Sequence, residues 1–383
     1  MQPNRNIFRE YDIRGVYGTD IDENLFFHIG KAVGTIYRRN NLPNIVLGMD
    51  NRISSESLTK KLCEGLLETG CNVTFVGTVP YPLIHFFTTT EGFDGGVYTT
   101  ASHNSKEYNG VKIEFSNANP VFGEGIKEVA DIIEKEAYMT GKGSFTEKDL
   151  IGKYVDFIKS KFNFKKKFKV VLNTGNGVTG GVAKEVLDAL GVEVVPVNLE
   201  FDGSFPNGTP DPEEAHMVEQ TVSAVISSRS YFIQKVTGKE AVFGVEFSGH
   251  TYFGDKYFGY DDGIYAICRV LELMDTENSG IEDLMSEFPE RVSSPEIKVP
   301  CPDNLKFVIM ERIVEVVKAS DDYTRENFVD GVRANVTDTS WFLIRAKNTS
   351  PFLGIRMEAD SEEELNSLKA KVNELLKTHN LQI

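Results

Sequence analysis

The stretch Asn44–Gly77, "NIVLGMDNRISSESLTKKLCEGLLETGCNVTFVG", decides the fold. Its first six residues form a short apolar run of the kind that makes a buried strand. Ser54 or Ser55 can cap the helix that follows. Leu58, Leu62 and Leu66 recur every four residues along one side of it, and Gly70 stops it. "NVTFVG" is the next strand. Strand, helix and strand in close succession make a β-α-β unit, and such a unit requires a parallel or mixed sheet covered by helices.

The same pattern returns at "KVVLN" (Lys169–Asn173), the glycine loop "TGNGVTGG", the helix "VAKEVLDALG" and the strand "VEVVPV". This gives two α/β modules, one over 1–150 and one from about 151, joined by the polar segment "EAYMTGKGSFTEKDL". Gly175–Gly180 fits G-x-G-x-x-G between strand and helix, with Glu200 downstream, but a lone match to the dinucleotide fingerprint is weak. "DGSFPNGTPDPEEAH" is rich in Gly, Pro and Asp and reads as an ordered loop. "DDGIYAICRVLELM" (Asp261–Met274) is a helix. The strands "WFLIRA" and "FLGIRMEA" with the helix "SEEELNSLKAKVNELLKTH" close the chain as a small α+β domain.

At 383 residues the chain is too long for one core, and its 40% hydrophobic and 26% charged residues are those of a soluble globular protein. A formal charge of −16 argues against a nucleic-acid binder, whose footprint would be basic. It leaves room for a small anionic substrate, which needs only a local cluster of Arg and Lys. No apolar run is long enough to span a membrane, and the N-terminus lacks a signal-peptide pattern, so a cytoplasmic location is expected. Cys63, Cys71, Cys268 and Cys301 form no C-x-x-C pair and read as reduced, buried thiols.

Four stretches carry chemistry. In "TTASHNSKEYNG" (Thr99–Gly110) the pair Asn109-Gly110 signals a type I′ hairpin turn. A turn alone does not call for Ser102 and His103 beside small residues with Lys112 just beyond. A hydroxyl that accepts and donates a phosphoryl group needs room for attack, donors for the phosphate oxygens and a nearby cation. "REYDIRGVYG" (Arg9–Gly18) is either a surface turn or a place where Arg14 is held as a fork for an anion. "GVEFSGH" sets Glu246, Ser248 and His250 at alternate positions. In an extended segment all three face one side, either as a plain polar strand face or as a shelf for sugar hydroxyls. "IRAKNTSP" (Ile344–Pro351) gathers Arg345, Lys347, Asn348 and Thr349, either a basic turn or a cradle for a phosphate monoester.

Together with "GMDNRISS", "NTGNGVTGG", "DGSFPNGTPDP", "DDGIYA" and "DGVR", these stretches resemble the α-D-phosphohexomutase family, in the family's order and most closely in its phosphomannomutase/phosphoglucomutase branch. The resemblance implies a multi-domain α/β architecture: mixed-sheet modules around a central cleft and a small C-terminal α+β domain. Its segments would be 1–150 with the phosphoserine loop, 151–225, 226–295 with the sugar-binding loop, and 296–383 with the phosphate-binding loop. It further implies an enzyme that interconverts hexose 1-phosphate and hexose 6-phosphate, of glucose or mannose, through a phosphoserine and a hexose 1,6-bisphosphate. Ser102 would be the phosphoserine, with Arg14, His103 and Lys112 around it and Lys112 moving a proton. His250 would assist acid–base work. Tyr11, Glu246, Ser248 and His250 would meet the sugar, and Arg345, Lys347, Asn348 and Thr349 the non-reacting phosphate. Asn348 in place of glycine points to the hexose-phosphate branch.

Magnesium, with the phosphate on Ser102 as one ligand, is expected on the same ground. The family's metal loop, D-G-D-x-D-R, is however absent from this sequence, and the stretch between Glu214 and Gly244 is much shorter than the resemblance requires. Ser105 stands for the usual proline after "ASHN", Val245 for glycine before Glu246, and Lys347 for serine in the phosphate loop. A second expectation therefore stands beside the first: a family member that binds sugar phosphates or a partner without efficient turnover.

Overall fold

The computed structural model describes residues 1–211, 216–217, 219–221, 223, 243–245, 250–286, 288–328, 331–347 and 351–383. The chain forms two compact units, Met1–Leu284 and Met285–Ile383.

The β-α-β reading of the opening stretch holds. β2 (Asn44–Met49) and β3 (Asn72–Thr78) pair in parallel, joined by α2 (Ser55–Glu68). They lie in a seven-stranded sheet with β1 (Ile13–Val16), β4 (Gly95–Thr99), β5 (Tyr108–Phe115), β6 (Asn119–Pro120) and β7 (Phe145–Glu147). The order is β1-β5-β4-β2-β3-β7, with β6 on β5. β1, β2, β3, β4 and β7 run in one direction, and β5, between β1 and β4, runs antiparallel to both. The sheet is buried on both faces, which is why β2 reads as an unbroken apolar run. Ile45 and Leu47 pack with α1 (Glu23–Arg39), α2 and α4 (Glu124–Lys135), while Val46 faces α3 (Tyr81–Thr90). Leu58, Leu62 and Leu66 are fully buried, each stabilising the fold by about 1.5–3 kcal/mol.

Three local expectations fail. Asn109-Gly110 is no hairpin turn, for both residues lie in β5 opposite Gly15 and Arg14 of β1. The glycine is needed because a Cβ there would run into the Ile13 carbonyl oxygen. The asparagine side chain is fully buried and donates to Ser54 Oγ (2.9 Å) and Ser55 Oγ (3.0 Å). Those hydroxyls are thereby occupied, so Ser54 sits at the N-cap of α2 without a side-chain cap bond. The polar connector is also more than a connector, because its β7 extends the sheet beside β3.

Beyond α5 (Ile151–Lys161), β8 (Lys169–Asn173) and β9 (Glu193–Val197) pair in parallel across α6 (Thr179–Ala189), the second β-α-β unit. The G-x-G-x-x-G loop before α6 is occupied by its own protein: Asn176 bonds through its N–H to Asn198 O (2.7 Å) and through Nδ2 to Glu200 O (3.0 Å). β10 (Phe243–Val245) and β11 (Thr251–Phe253) form an antiparallel pair, followed by α7 (Gly263–Thr276). Asp262 caps α7 by accepting from the N–H groups of Ile264 and Tyr265.

In the second unit the strand order is β12-β17-β16-β15-β14, with β13 also on β17. The strands are β12 (Val292–Ser293), β13 (Ile297–Pro300), β14 (Thr324–Asn327), β15 (Val332–Asn335), β16 (Trp341–Ala346) and β17 (Phe352–Ala359). Helices Asp303–Lys318 and Glu362–Lys377 share its core with Phe342, Ile344, Leu353 and Ile355. No helix of the described residues is long and apolar enough to cross a membrane. All four cysteines are buried and unpaired with each other.

Candidate active site

The serine stretch leaves the carboxyl end of β4 and returns as β5. Open α/β sheets present ligand-binding loops at this end. Ala101 is fully buried, so the loop is tethered there, while Ser102 and His103 point outward and are exposed. Ser102 has φ +56°, a left-handed backbone that a serine adopts only when its surroundings impose it. Its N–H donates to Thr100 Oγ1 at 2.9 Å, and its hydroxyl lies 3.3 Å from His103 Nδ1.

The loop is held from beneath by Asp50 and Arg52, which leave the end of the neighbouring strand β2. Asp50 accepts from Thr100 Oγ1 (2.7 Å), Ser55 Oγ (2.5 Å) and Arg52 Nε (3.1 Å). Arg52 donates on to the backbone oxygens of Ser102, Asn104, Ser105 and Tyr108. Burial pulls the Arg52 guanidinium below its ordinary range, and Asp50 draws it part of the way back.

The cations expected around the serine reach it through two further residues. Arg14 is buried in β1, where its Nη1 donates to Asn104 Oδ1 of the loop at 2.8 Å and its Nη2 to Asp12 Oδ2 at 2.5 Å. Lys112 in β5 lies 3.6 Å from that same Asp12 oxygen and 5.4 Å above the Tyr81 ring. The Tyr81 hydroxyl in turn donates to buried Glu114. Burial pushes the Lys112 ammonium below the usual lysine range, against the pull of Asp12. Burial alone would raise the Asp12 carboxyl, but Arg14, Lys112 and Arg9 together hold it below the usual carboxylate range.

Ser102, His103, Arg14 and Lys112 are thus joined in one network of the first unit. Tyr11, two residues before the end of β1 that carries Ile13, is 60% exposed. His250 lies at the start of β11 with Nδ1 2.5 Å from Asp261 Oδ2, which fixes its ring. Arg345 is the penultimate residue of β16 in the second unit, and Lys347 Nζ is 2.6 Å from Glu296 Oε1. Glu246, Ser248, Asn348 and Thr349 lie outside the described residues.

Sequence reasoning passed over Asp12, Asp50, Arg52, Thr100, Asn104 and Asp261. A signal was present for two of the pairs: Asp12 and Arg14 flank Ile13 at the start of β1, and Asp50 and Arg52 lie two residues apart just past the apolar β2.

The donor set does not fit the magnesium that the resemblance implies. Among the described residues no group of three or more His, Cys, Asp and Glu is placed to hold a metal ion. Asp50 and Asp12, the carboxylates bonded into the serine network, are committed to hydroxyls and cations. Between Asp211 and Asp255 the sequence has no aspartate at all.

Comparison with known proteins gives a consistent pattern. Four sequence profiles match in order, described as phosphoglucomutase/phosphomannomutase alpha/beta/alpha domain I (residues 5–139), domain II (152–242), domain III (229–292) and C-terminal domain (296–375). The phosphomannomutase/phosphoglucomutase of Pseudomonas aeruginosa is 30% identical, with 97% of this chain and 96% of that protein covered. That alignment runs to 446 positions, more than the 383 residues here, so the relative carries segments that this chain lacks. The phosphoglucomutase of Neisseria gonorrhoeae is 27% identical, with 98% and 97% covered. A crystal structure of a phosphoglucomutase/phosphomannomutase family protein from Burkholderia thailandensis superposes with a TM-score of 0.85 at 25% identity, covering 98% of both chains.

Proposed function

Because the chain belongs to the phosphoglucomutase/phosphomannomutase family, we propose that it interconverts the 1- and 6-phosphates of glucose or mannose by way of a phosphoserine at Ser102. The reading is carried by one observation. Ser102 is displayed with exposed His103 on a loop whose backbone is held from within by Arg52, with Arg14 tied to that loop through Asn104 and Lys112 tied to Arg14 through Asp12.

In the first half-reaction a free hydroxyl of the hexose monophosphate attacks the phosphorus on Ser102. A new P–O bond forms to the sugar as the bond to Ser102 Oγ breaks. The sugar hydroxyl loses its proton to His250, and Ser102 Oγ gains one from Lys112. The resulting 1,6-bisphosphate turns around, and its other phosphoryl group returns to Ser102 with the proton movements reversed. Lys112 must then serve as acid in one half and base in the other, and a lysine displaced below its usual range can do both. Arg14 supports the developing charge on the phosphoryl oxygens. Tyr11, Glu246 and Ser248 meet the sugar, while Arg345, Lys347, Asn348 and Thr349 hold the phosphate that does not react. Magnesium is expected from the family alone.

The test is formation of glucose 6-phosphate from glucose 1-phosphate, primed with glucose 1,6-bisphosphate and followed through an NADP-linked dehydrogenase, with mannose 1-phosphate in parallel. Binding of both sugars by calorimetry with turnover of neither would replace the mutase by a sugar-phosphate binder.

A further inference from the structure

We propose that Arg52 is a positioning residue for phosphoryl transfer: a clamp that sets the backbone of the Ser102 loop and does not touch the substrate. This rests on Ser102 being the nucleophile.

A guanidinium has five N–H donors in a fixed plane. Here all five have acceptors within the protein. Nε meets Asp50 Oδ2 at 3.1 Å. Nη1 meets the carbonyl oxygens of Ser105 (2.6 Å) and Tyr108 (3.2 Å), and Nη2 those of Ser102 (3.0 Å) and Asn104 (2.6 Å). The side chain is 1% exposed. No donor remains for a phosphate, which separates Arg52 from an anion-binding arginine.

Four carbonyls of one short loop converge on this single cation. Without it they would lose their shared cation, the Ser105 carbonyl keeping the Tyr108 N–H (3.1 Å), an arrangement the backbone would leave. Among them is the carbonyl of Ser102, the residue held at φ +56°. The N–H of Ser102 is fixed from the other side by Thr100 Oγ1, and Thr100 and Arg52 are both anchored on Asp50. The peptide groups on both sides of the nucleophile are therefore set by one ion pair at the end of β2. The Phe205 ring lies 5.4 Å over the guanidinium, and Gly203 packs so closely on the Asn51 carbonyl that a Cβ there would strike its oxygen. Loop 202–208 thus closes the clamp against water, and the pose of the nucleophile depends on a loop of the following module.

A lysine at position 52 keeps the charge but has three donors in place of five and no planar fork. Arg52→Lys is expected to slow phosphorylation of Ser102 by glucose 1,6-bisphosphate on the order of 100-fold, the scale of a small misplacement of a reacting group. The KM for the bisphosphate should stay at its wild-type value, since Arg52 makes no contact with it. Trypsin should cut faster after exposed Lys106 within the loop. Thr100→Val, which removes only the hydroxyl that holds Ser102 N–H, should give the same pattern more weakly, and it decides the matter if Arg52→Lys does not fold. Wild-type phosphorylation rates in both variants, or a loss confined to KM, would overturn the clamp. If the wild-type protein itself takes no phosphate on Ser102, the nucleophile reading fails. The trypsin arm then still decides the clamp, and unchanged cutting after Lys106 in both variants would sink it.

Discussion

Lys112 Nζ lies 3.6 Å from Asp12 Oδ2, the same carboxylate oxygen to which Arg14 donates at 2.5 Å. One buried carboxylate therefore holds two cations under the serine loop. Replacing Asp12 by Asn leaves both without their counter-charge, and breaking a buried pair in this way costs about 3–5 kcal/mol. Urea unfolding of Asp12→Asn at neutral pH should show that loss. The pH dependence has a definite sign. The Asp12 carboxyl is held below its ordinary range in the folded state. Its contribution is fully present above the unfolded value of about 3.9 and is lost as pH falls through the lower folded value. The difference between wild type and variant should therefore shrink on acidification below about pH 4. A constant difference would show that Asp12 acts through packing alone.

The displaced Lys112 makes a separate prediction. When the bisphosphate phosphorylates Ser102, the amine must be neutral to take the serine proton. The rate of that step should rise with pH through the lowered lysine value and level off above it. Asp12→Asn removes the carboxylate that opposes the shift, so the rise should move to lower pH. Lys112→Arg keeps a cation but cannot release its proton, and should lose about 10²–10⁴ in rate. Pre-steady-state phosphorylation followed by intact-mass spectrometry reads both effects. An arginine variant at wild-type speed would remove Lys112 from proton transfer.

The sequence made the first sheet legible because two periods agree in it. The apolar run of β2 and the four-residue leucine spacing of α2 leave only a β-α-β unit. Asn109-Gly110 misled because its turn signal is local, whereas its real cause is not: Gly110 admits the Ile13 carbonyl, and Asn109 reaches Ser54 and Ser55 some 55 and 54 residues away. The same limit applies to the site. Ser102, Arg14 and Lys112 stand out by residue type. The residues that join them, Asn104 and Asp12, are recognisable only once β1 lies beside β5. Arg52 looks like an ordinary loop arginine until four carbonyls close on it.

In the C-terminal unit, Arg345 is predicted to bind the non-reacting phosphate. Arg345→Ala should weaken hexose-phosphate binding by about 1.5–3 kcal/mol, the range for hydrogen bonds to charged groups. Calorimetry with glucose 6-phosphate measures it. Unchanged affinity would reduce "IRAKNTSP" to a basic turn.

Magnesium tests how the chain differs from its longer relatives. Magnesium demands octahedral oxygen ligands near 2.1 Å and gives up water reluctantly, so a tight site needs carboxylates already placed. None of the described clusters supplies them, and the two carboxylates of the serine network are already engaged, Asp12 through Oδ2 by Arg14 and Lys112 and Asp50 by Arg52, Ser55 and Thr100. Among the described residues, the anionic ligand left is the phosphate on Ser102 itself. Two outcomes follow. The unphosphorylated protein should bind magnesium no more tightly than about millimolar, and phosphorylation of Ser102 should strengthen that binding measurably. The Ser102→Ala protein should match the unphosphorylated wild type, because alanine removes only a site for phosphate. Calorimetric titration of magnesium into the three forms separates the cases. Micromolar affinity in Ser102→Ala would mean that carboxylates outside the described residues rebuild a cage. Equal affinity in all three forms would show that the phosphate on Ser102 is not a ligand.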